Sequence, residues 1–412
     1  MTRPLLTAVA AVFVLCRGPA WAEAQAPSPA TLLDLPAALR LAAERDPTLR
    51  AAAHEVAASD AAVDQAGRLP NPELAYLREG QRAGTRTTTV QINQPLELGG
   101  KRQARIALAN GALDVARGEL ALRRQALRAD VTLAYYTVLA AQERQRLAQA
   151  AADLAARSLG AADIRVAAGK VSPIEAGKAR LAQAEAQAAL GRATAELAIA
   201  RTRLAAFIGA RADEPLASAD AAALPDPGPL APLLDRAADG PALLLARRQV
   251  VYQQAQTDVA KSARVPDVTL TIGSQRDDQL ARRQAVVGIA VPLPLFDRNG
   301  GNVVAASERA AKARAELEAA QRDVTADATT AWLRYRQARD EALLMQNGVV
   351  ADAASVHALT LKGYEYGKFA FLDVLDAQRT LFAARSRLLD AMLDAWRAHA
   401  DLARLTGALT TE

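Results

Sequence analysis

Apolar residues recur at helical spacing over most of this chain, and two short blocks interrupt that spacing with the alternation typical of strands. The pattern in the first half predicts a helix over 36–69, two strands within 71–96, and helices over 101–168 and 173–208. The pattern in the second half predicts a helix over 234–264, two strands within 267–295, and helices over 301–366 and 371–406. Alternating Val268, Leu270 and Ile272 support the strands of the second block.

The two halves follow one plan and match each other at an offset of about 194 to 198 residues. "RLPNPEL" at 68–74 corresponds to "RVPDVTL" at 264–270, and Gly169-Lys170 corresponds to Gly367-Lys368. We therefore predict a first repeat over 23–209, a Pro-rich linker over 210–233 and a second repeat over 234–412.

Each long helix is about as long as the two shorter helices of its repeat together, so the short helices can lie end to end along it. At 1.5 Å per residue the resulting rod is on the order of 100 Å long. Residues at seven-residue spacing support such side-by-side packing. They are Leu113, Leu120, Leu127; Leu190, Leu197, Leu204; and Leu381, Leu388, Ala395, Leu402. An ordinary soluble helical bundle has the same periodicity, so the helices alone leave that alternative open.

The N-terminal segment predicts export. Arg3 precedes an apolar run over 5–16, and small residues ending in Ala20-Trp21-Ala22 follow, so residues 1–22 fit a signal peptide. Cys16 is the only cysteine and lies inside this leader; lipid attachment there is an alternative, although Leu15 is bulkier than lipoprotein processing usually accepts.

The strands are the only segments predicted to enter a membrane, because no window after the leader has the roughly 18 apolar residues of a transmembrane helix. Four strands are too few to close a membrane barrel, which needs about eight. An open sheet in lipid would leave its edge groups without hydrogen bonds. The chain must then oligomerise, and three copies would supply about twelve strands.

The leader, the duplicated helix-strand-strand-helix-helix plan and "GKFAFLDVLDAQRTL" at 367–381 together resemble the TolC-type outer-membrane efflux channels over essentially the whole mature chain. "NPEL" at 71–74, "ELGGKR" at 97–102 and "VPLPLFDRNGG" at 291–301 are most similar to the cation-efflux branch, the CzcC-like proteins.

The resemblance implies a mainly α fold with a small β part, in which a homotrimer forms a 12-stranded β-barrel in the outer membrane of a Gram-negative bacterium and a periplasmic α-helical tunnel. It further implies contact with outer-membrane lipid, a periplasmic adaptor (membrane fusion) protein and an inner-membrane pump of the resistance-nodulation-division type.

Composition argues against catalysis and nucleic-acid binding. The net charge is +5, but arginines alternate with acidic residues along helices, which favours a solvated helix surface. His54, His357 and His399 have no metal-ligand spacing, and the sequence has no phosphate-binding loop or nucleophile elbow. We predict a protein that is not an enzyme, has no cofactor or resident metal, and does not bind nucleic acid.

Asp373 and Asp376 are three residues apart and therefore share one helix face. The resemblance implies that they follow the periplasmic tip and line a narrowed entrance, where the carboxylates of three chains would attract cations. Two solvated surface acids are the alternative. Glu175, which we place at the same entrance, and Lys178 correspond to them in the first repeat, so the charge there would be mixed. Phe369 stands where some relatives carry a basic gate-linking residue.

Two further residue sets follow from the repeat. The predicted tip turns, which the resemblance makes adaptor-docking sites and which could also be simple helix hairpins, are Gly169, Lys170, Val171, Ser172 and Gly367, Lys368, Phe369, Ala370. The predicted joints between strand and long helix, where proline is tolerated and glycine lets the chain turn, are Pro95, Gly99, Gly100 and Pro292, Pro294, Gly300, Gly301.

The sequence thus predicts a passive exit duct of a tripartite efflux system for divalent heavy-metal cations of the cobalt, zinc and cadmium class. An exit duct for drugs or type I secreted polypeptides is an alternative, because the pump selects the cargo. A soluble periplasmic coiled-coil adaptor is an alternative of another class, but it leaves the recurring strand pairs unexplained.

Overall fold

The computed structural model describes residues 33–209 and 224–407. The predicted signal peptide over 1–22 and the linker residues 210–223 lie outside the described residues. The first repeat consists of α1 (Leu35–Arg45), α2 (Pro47–Ala66), β1 (Glu73–Glu79), β2 (Thr87–Leu96), α3 (Lys101–Ala167) and α4 (Pro173–Ile208). The second consists of α5 (Leu230–Ala238), α6 (Pro241–Ser262), β3 (Val268–Asp277), β4 (Arg282–Ala290), α7 (Gly300–Leu344), a π-helical turn (Met345–Val349), α8 (Val350–Glu365) and α9 (Phe371–Thr406).

Three helices predicted as continuous are interrupted. The helix predicted over 36–69 breaks at Asp46, whose carboxylate accepts a hydrogen bond from the Leu49 amide at 2.8 Å while Pro47 begins α2. The helix predicted over 234–264 breaks before Pro241, which begins α6. The helix predicted over 301–366 contains the π-helical turn, where one extra residue enters the helical ladder.

The last strand is shorter than predicted. β4 ends at Ala290, not near residue 295, so Pro292 and Pro294 follow the strand and are not part of it. Since proline has no amide hydrogen to donate, the strand pairing ends before the first of them.

The helices pack in the order that their lengths predict. Leu49 and Ala52 of α2 contact Leu120 in the first half of α3, whereas Ala179 of α4 packs against Ala162 near its end. α6 and α9 likewise both pack along α7. No helix among the described residues is both long and apolar enough to cross a membrane.

The core is built mostly from alanine, with one large buried tyrosine in each repeat. Tyr135 and Tyr335 are fully buried. The Tyr135 hydroxyl donates to the Leu33 carbonyl at 3.2 Å, and the Tyr335 hydroxyl donates to the Pro225 carbonyl at 2.5 Å. Each tyrosine therefore fixes the segment that enters its repeat onto the long helix.

The four strands form one antiparallel sheet in the order β1-β2-β3-β4, and the β2–β3 pairing joins the two repeats. One row across one face consists of Leu74, Ile92, Ile272 and Val287, all between 51% and 74% exposed. The opposite face is polar: on it the Thr271 hydroxyl donates to the Asn93 side chain at 2.8 Å. Within the described residues the sheet is therefore amphipathic, and its apolar face is uncovered.

Candidate functional site

The turn between α3 and α4 is closed by a left-handed glycine. Gly169 has φ +68°, and the amides of Gly169 and Lys170 donate to the carbonyls of Val166 and Arg165, both at 2.9 Å. Ser172 then caps α4, its hydroxyl oxygen accepting from the Ile174 amide at 3.3 Å. Glycine, serine and the proline that follows explain this reversal locally.

The turn between α8 and α9 closes in the same way but is capped differently. Gly367 has φ +71°, and the Lys368 amide donates to the Gly363 carbonyl at 2.8 Å. Ala370 stands where Ser172 stands in the first repeat and has no side-chain acceptor. The Asp373 carboxylate instead accepts a hydrogen bond from the Ala370 amide at 2.8 Å. Asp373 thus has a structural role that its spacing from Asp376 does not reveal.

Phe369 packs over Gly363 in this second turn. A Cβ atom built at Gly363 would lie 2.2 Å from the Phe369 ring, so the ring occupies the space that a side chain would need. The ring is nevertheless 49% exposed. The glycine and the phenylalanine therefore form one local contact with an apolar surface facing outward.

Asp373 and Asp376 lie in a groove between α8 and α9, and the structure adds Asp352 of α8 to its lining. We call the groove that contains these three carboxylates the acidic groove. Glu175 occupies the same position in α4 as Asp373 does in α9, but it is half-buried and does not line this groove. Asp352 was missed at the sequence level because its proximity depends on how α8 and α9 pack.

The acidic groove has three carboxylates and no Lys or Arg among its described lining residues. The remaining lining consists of apolar residues and the hydroxyl groups of Thr360 and Thr380. Among the described residues, no three His, Cys, Asp or Glu side chains are placed to hold a metal ion together. Within the described structure, the groove can attract cations through its field without coordinating them.

Side chains also connect the two helical hairpins of the chain. The Arg165 guanidinium of α3 lies 5.0 Å from the centre of the Tyr364 ring of α8. Arg379 of α9 and Glu185 of α4 form an ion pair at 3.4 Å. Both partners of that ion pair are exposed, so it adds little to stability.

The joint after β2 contains two left-handed glycines. Pro95 is paired with Thr269 near the end of the strand, and Gly99 and Gly100 are left-handed, with φ +68° and +74°. A Cβ atom at Gly99 would lie 2.6 Å from the Val265 side chain. Both the left-handed backbone and this close approach therefore require glycine at this position.

The joint after β4 uses another residue. Gly300 and Gly301 begin α7, and the left-handed residue is Asn299, with φ +56°. Its side-chain amide does not cap α7; it donates to the Ala260 carbonyl at 2.8 Å and so connects α6 to the joint. The left-handed turn thus lies at Asn299, one residue before the predicted joint residues Gly300 and Gly301.

An arginine stabilises the first joint. The Arg105 guanidinium donates to the carbonyls of Ala66 and Arg68 at 2.9 and 3.0 Å, where α2 ends, and forms an ion pair with Glu97. Glu97 is 11% exposed, and its hydrogen bond raises the pKa of Arg105 above the usual value. Arg105 thus satisfies carbonyl groups that the end of a helix leaves without partners.

Comparison with known proteins settles the family. The model of the family described as "Outer membrane efflux protein" matches residues 38–210 and 235–408. The chain belongs to this outer membrane efflux protein family. The family places it in the outer membrane and confirms the resemblance predicted from the sequence.

Curated relatives cover much of the chain. The cobalt-zinc-cadmium resistance protein CzcC of Cupriavidus metallidurans is 41% identical over 91% of this chain and 90% of its own length. The nickel-cobalt-cadmium resistance protein NccC of Alcaligenes xylosoxydans is 31% identical over 68% of this chain and 65% of its own length.

Solved structures confirm the fold class, which is mainly helical with a small antiparallel sheet. A membrane protein from Pseudomonas aeruginosa superimposes with a TM-score of 0.77 at 22% identity, covering 94% of this chain and 99% of that one. A CusC transmembrane channel structure gives 0.76 at 18% identity, covering 91% and 92%.

Proposed function

We propose that this protein is the passive outer-membrane exit duct of a tripartite efflux system and that it exports divalent heavy-metal cations. The observation that carries the proposal is the amphipathic sheet on a long helical body, with an apolar face that the described protein leaves uncovered. Membership of an outer-membrane efflux family supports the same function.

The sheet supports a homotrimer. Within the described residues, β1 and β4 each pair with a neighbour on one side only. A sheet edge in lipid needs a partner for its amide and carbonyl groups. Three copies joined through these edges would close about twelve strands, with the apolar face toward lipid and the polar face toward the lumen.

The helical body would then extend into the periplasm, away from the sheet. The two tip turns would dock the periplasmic adaptor, and the inner-membrane pump would supply the energy. The duct itself would perform no catalysis. Exposed apolar atoms at Phe369 and the small residues around the two glycine turns suit a protein contact of this kind.

The cargo assignment has two supports. The match to the cobalt-zinc-cadmium resistance protein CzcC spans 90% of the length of that protein. The acidic groove concentrates negative charge on α8 and α9 close to the second tip turn, where cations entering the duct would be attracted.

A deletion strain tests the function. We expect loss of the chain to lower the tolerated concentrations of cobalt, zinc and cadmium salts and to leave tolerance of uncharged drugs unchanged. Complementation with the wild-type chain should restore growth. Sensitivity to drugs alone would assign the duct to another cargo, and recovery of the protein in the soluble periplasmic fraction would exclude an outer-membrane duct.

A further inference from the structure

Three arginines lie in a single row across the sheet. The strand register pairs Arg78 with Thr88, Thr88 with Arg276, and Arg276 with Arg283, so the row crosses all four strands. Paired residues point to the same face of a sheet. We call Arg78, Arg276 and Arg283 the arginine row.

The arginine row borders the apolar face. Two residues along β1 and β2, toward the helices, the same face carries Tyr76 and Val90, and along β3 it carries Ile272, Leu270 and Val268. From Val90 to Leu96 this mainly apolar stretch, in which Gln94 is the polar residue of β2, is about 20 Å long. The row therefore lies immediately beyond the apolar stretch, at the end of the sheet where the strands turn and farthest from the helices.

Charge in this region is poorly balanced. The row lines a shallow hollow together with Arg86, and Asp278 is the only acidic residue among the described residues of its lining. Asp278 accepts from the Arg276 Nε atom at 2.9 Å. The Nε atom of Arg86 is buried and has no hydrogen-bond partner in the described structure. Four guanidinium groups thus share one carboxylate.

We propose that the arginine row binds the phosphate groups of lipids in the outward-facing leaflet of the membrane. A guanidinium group donates two parallel hydrogen bonds to phosphate oxygens, and these charge-assisted bonds are stronger than hydrogen bonds between neutral groups. Headgroup phosphates lie just beyond the hydrocarbon, at the level where this row follows the apolar stretch. The inference rests on the proposed function, because it requires the sheet to span the outer membrane.

Lipid titration of the purified full chain tests the inference. The protein in dodecyl maltoside is titrated with diphosphorylated lipid A, dephosphorylated lipid A or inorganic phosphate while its melting temperature is recorded. We expect only the diphosphorylated lipid to raise the melting temperature. The triple variant Arg78→Gln, Arg276→Gln and Arg283→Gln should weaken its apparent affinity at least about tenfold.

A matched variant controls for total charge. Arg192→Gln, Arg309→Gln and Arg322→Gln remove the same charge from exposed helix positions and should leave lipid binding unchanged. Equal binding by both triple variants would overturn the proposal, as would an equal response to inorganic phosphate.

Conductance separates this inference from the function on which it rests. In planar bilayers of phosphatidylcholine, wild type and both variants should form channels. If wild-type protein conducts but does not bind diphosphorylated lipid A, only the proposal of lipid binding by the arginine row is refuted. If wild-type protein never conducts, the proposed duct function is refuted.

Discussion

Asp373 combines two functions that different substitutions can separate. Its carboxylate holds the Ala370 amide at 2.8 Å at the start of α9, and its charge contributes to the acidic groove. Asp373→Asn keeps an oxygen acceptor and removes the charge. Asp373→Ala removes both.

The expected magnitudes differ for the two effects. Loss of the hydrogen bond at a helix start costs about 1 kcal/mol, and loss of the negative charge near that start costs about 0.5 kcal/mol. Asp373→Ala should therefore destabilise the first turn of α9 by about 1.5 kcal/mol, against about 0.5 kcal/mol for Asp373→Asn. A cation about 5 Å from one carboxylate gains about 0.8 kcal/mol in water, which is roughly a fourfold local enrichment.

Two assays record these effects independently. Hydrogen exchange of the Ala370 amide should accelerate by about tenfold in Asp373→Ala and by about twofold in Asp373→Asn. The reversal potential in a tenfold KCl gradient should shift equally toward lower cation preference in both variants. The shift should shrink near 1 M salt, where charges are screened within about 3 Å.

Asp323→Asn removes an exposed carboxylate from α7 and serves as the control. Equal exchange rates in the two Asp373 variants would refute the capping role. A reversal potential that Asp373→Asn leaves at the wild-type value, or that Asp323→Asn changes as much, would refute the role of the acidic groove.

Three further predictions concern stability. Arg105→Ala should cost about 2 kcal/mol, because it leaves helix carbonyls and the nearly buried Glu97 without a partner; a melting temperature unchanged from wild type would contradict this. Burial lowers the pKa of His399 below 6.5, so the unfolded chain binds the proton first, and stability should be full above pH 6.5 and fall as the pH drops below it. Melting curves of His399→Gln should lose part of that pH dependence, and an unchanged dependence would exclude His399 as its source. Gly363→Ala should destabilise the second tip turn in wild type, because the new methyl group meets the Phe369 ring. In a Phe369→Ala background the same substitution should stabilise the turn, since alanine favours the helix by about 1 kcal/mol over glycine. Hydrogen exchange in a double-mutant cycle measures both changes, and the same sign in both backgrounds would refute the contact.

Local signals in the sequence predict the long helices well. α4 begins at Pro173 and ends at Ile208, within the residues that the proline and the heptad leucines indicate. The breaks before Pro47 and Pro241 also have readable local causes, since proline at a helix start follows a capping or glycine residue. Those two breaks were missed because periodicity continues across them.

Other features depend on how distant segments pack, and the hydrophobic periodicity of the sequence does not predict them. Asp352 reaches the acidic groove only through the packing of α8 on α9. The π-helical turn at Met345–Val349 contains Asn347-Gly348, but a single glycine inside a helical pattern does not by itself indicate a π-helical turn. The arginine row likewise emerges only from the strand register, because its members come from three different strands.

The central claim, a trimeric duct through the outer membrane, is tested most directly by conductance. Purified chain added to a planar phosphatidylcholine bilayer should produce stepwise conductance increases, and its mass in detergent should correspond to three copies. A monomeric protein that leaves the bilayer current unchanged would contradict the account.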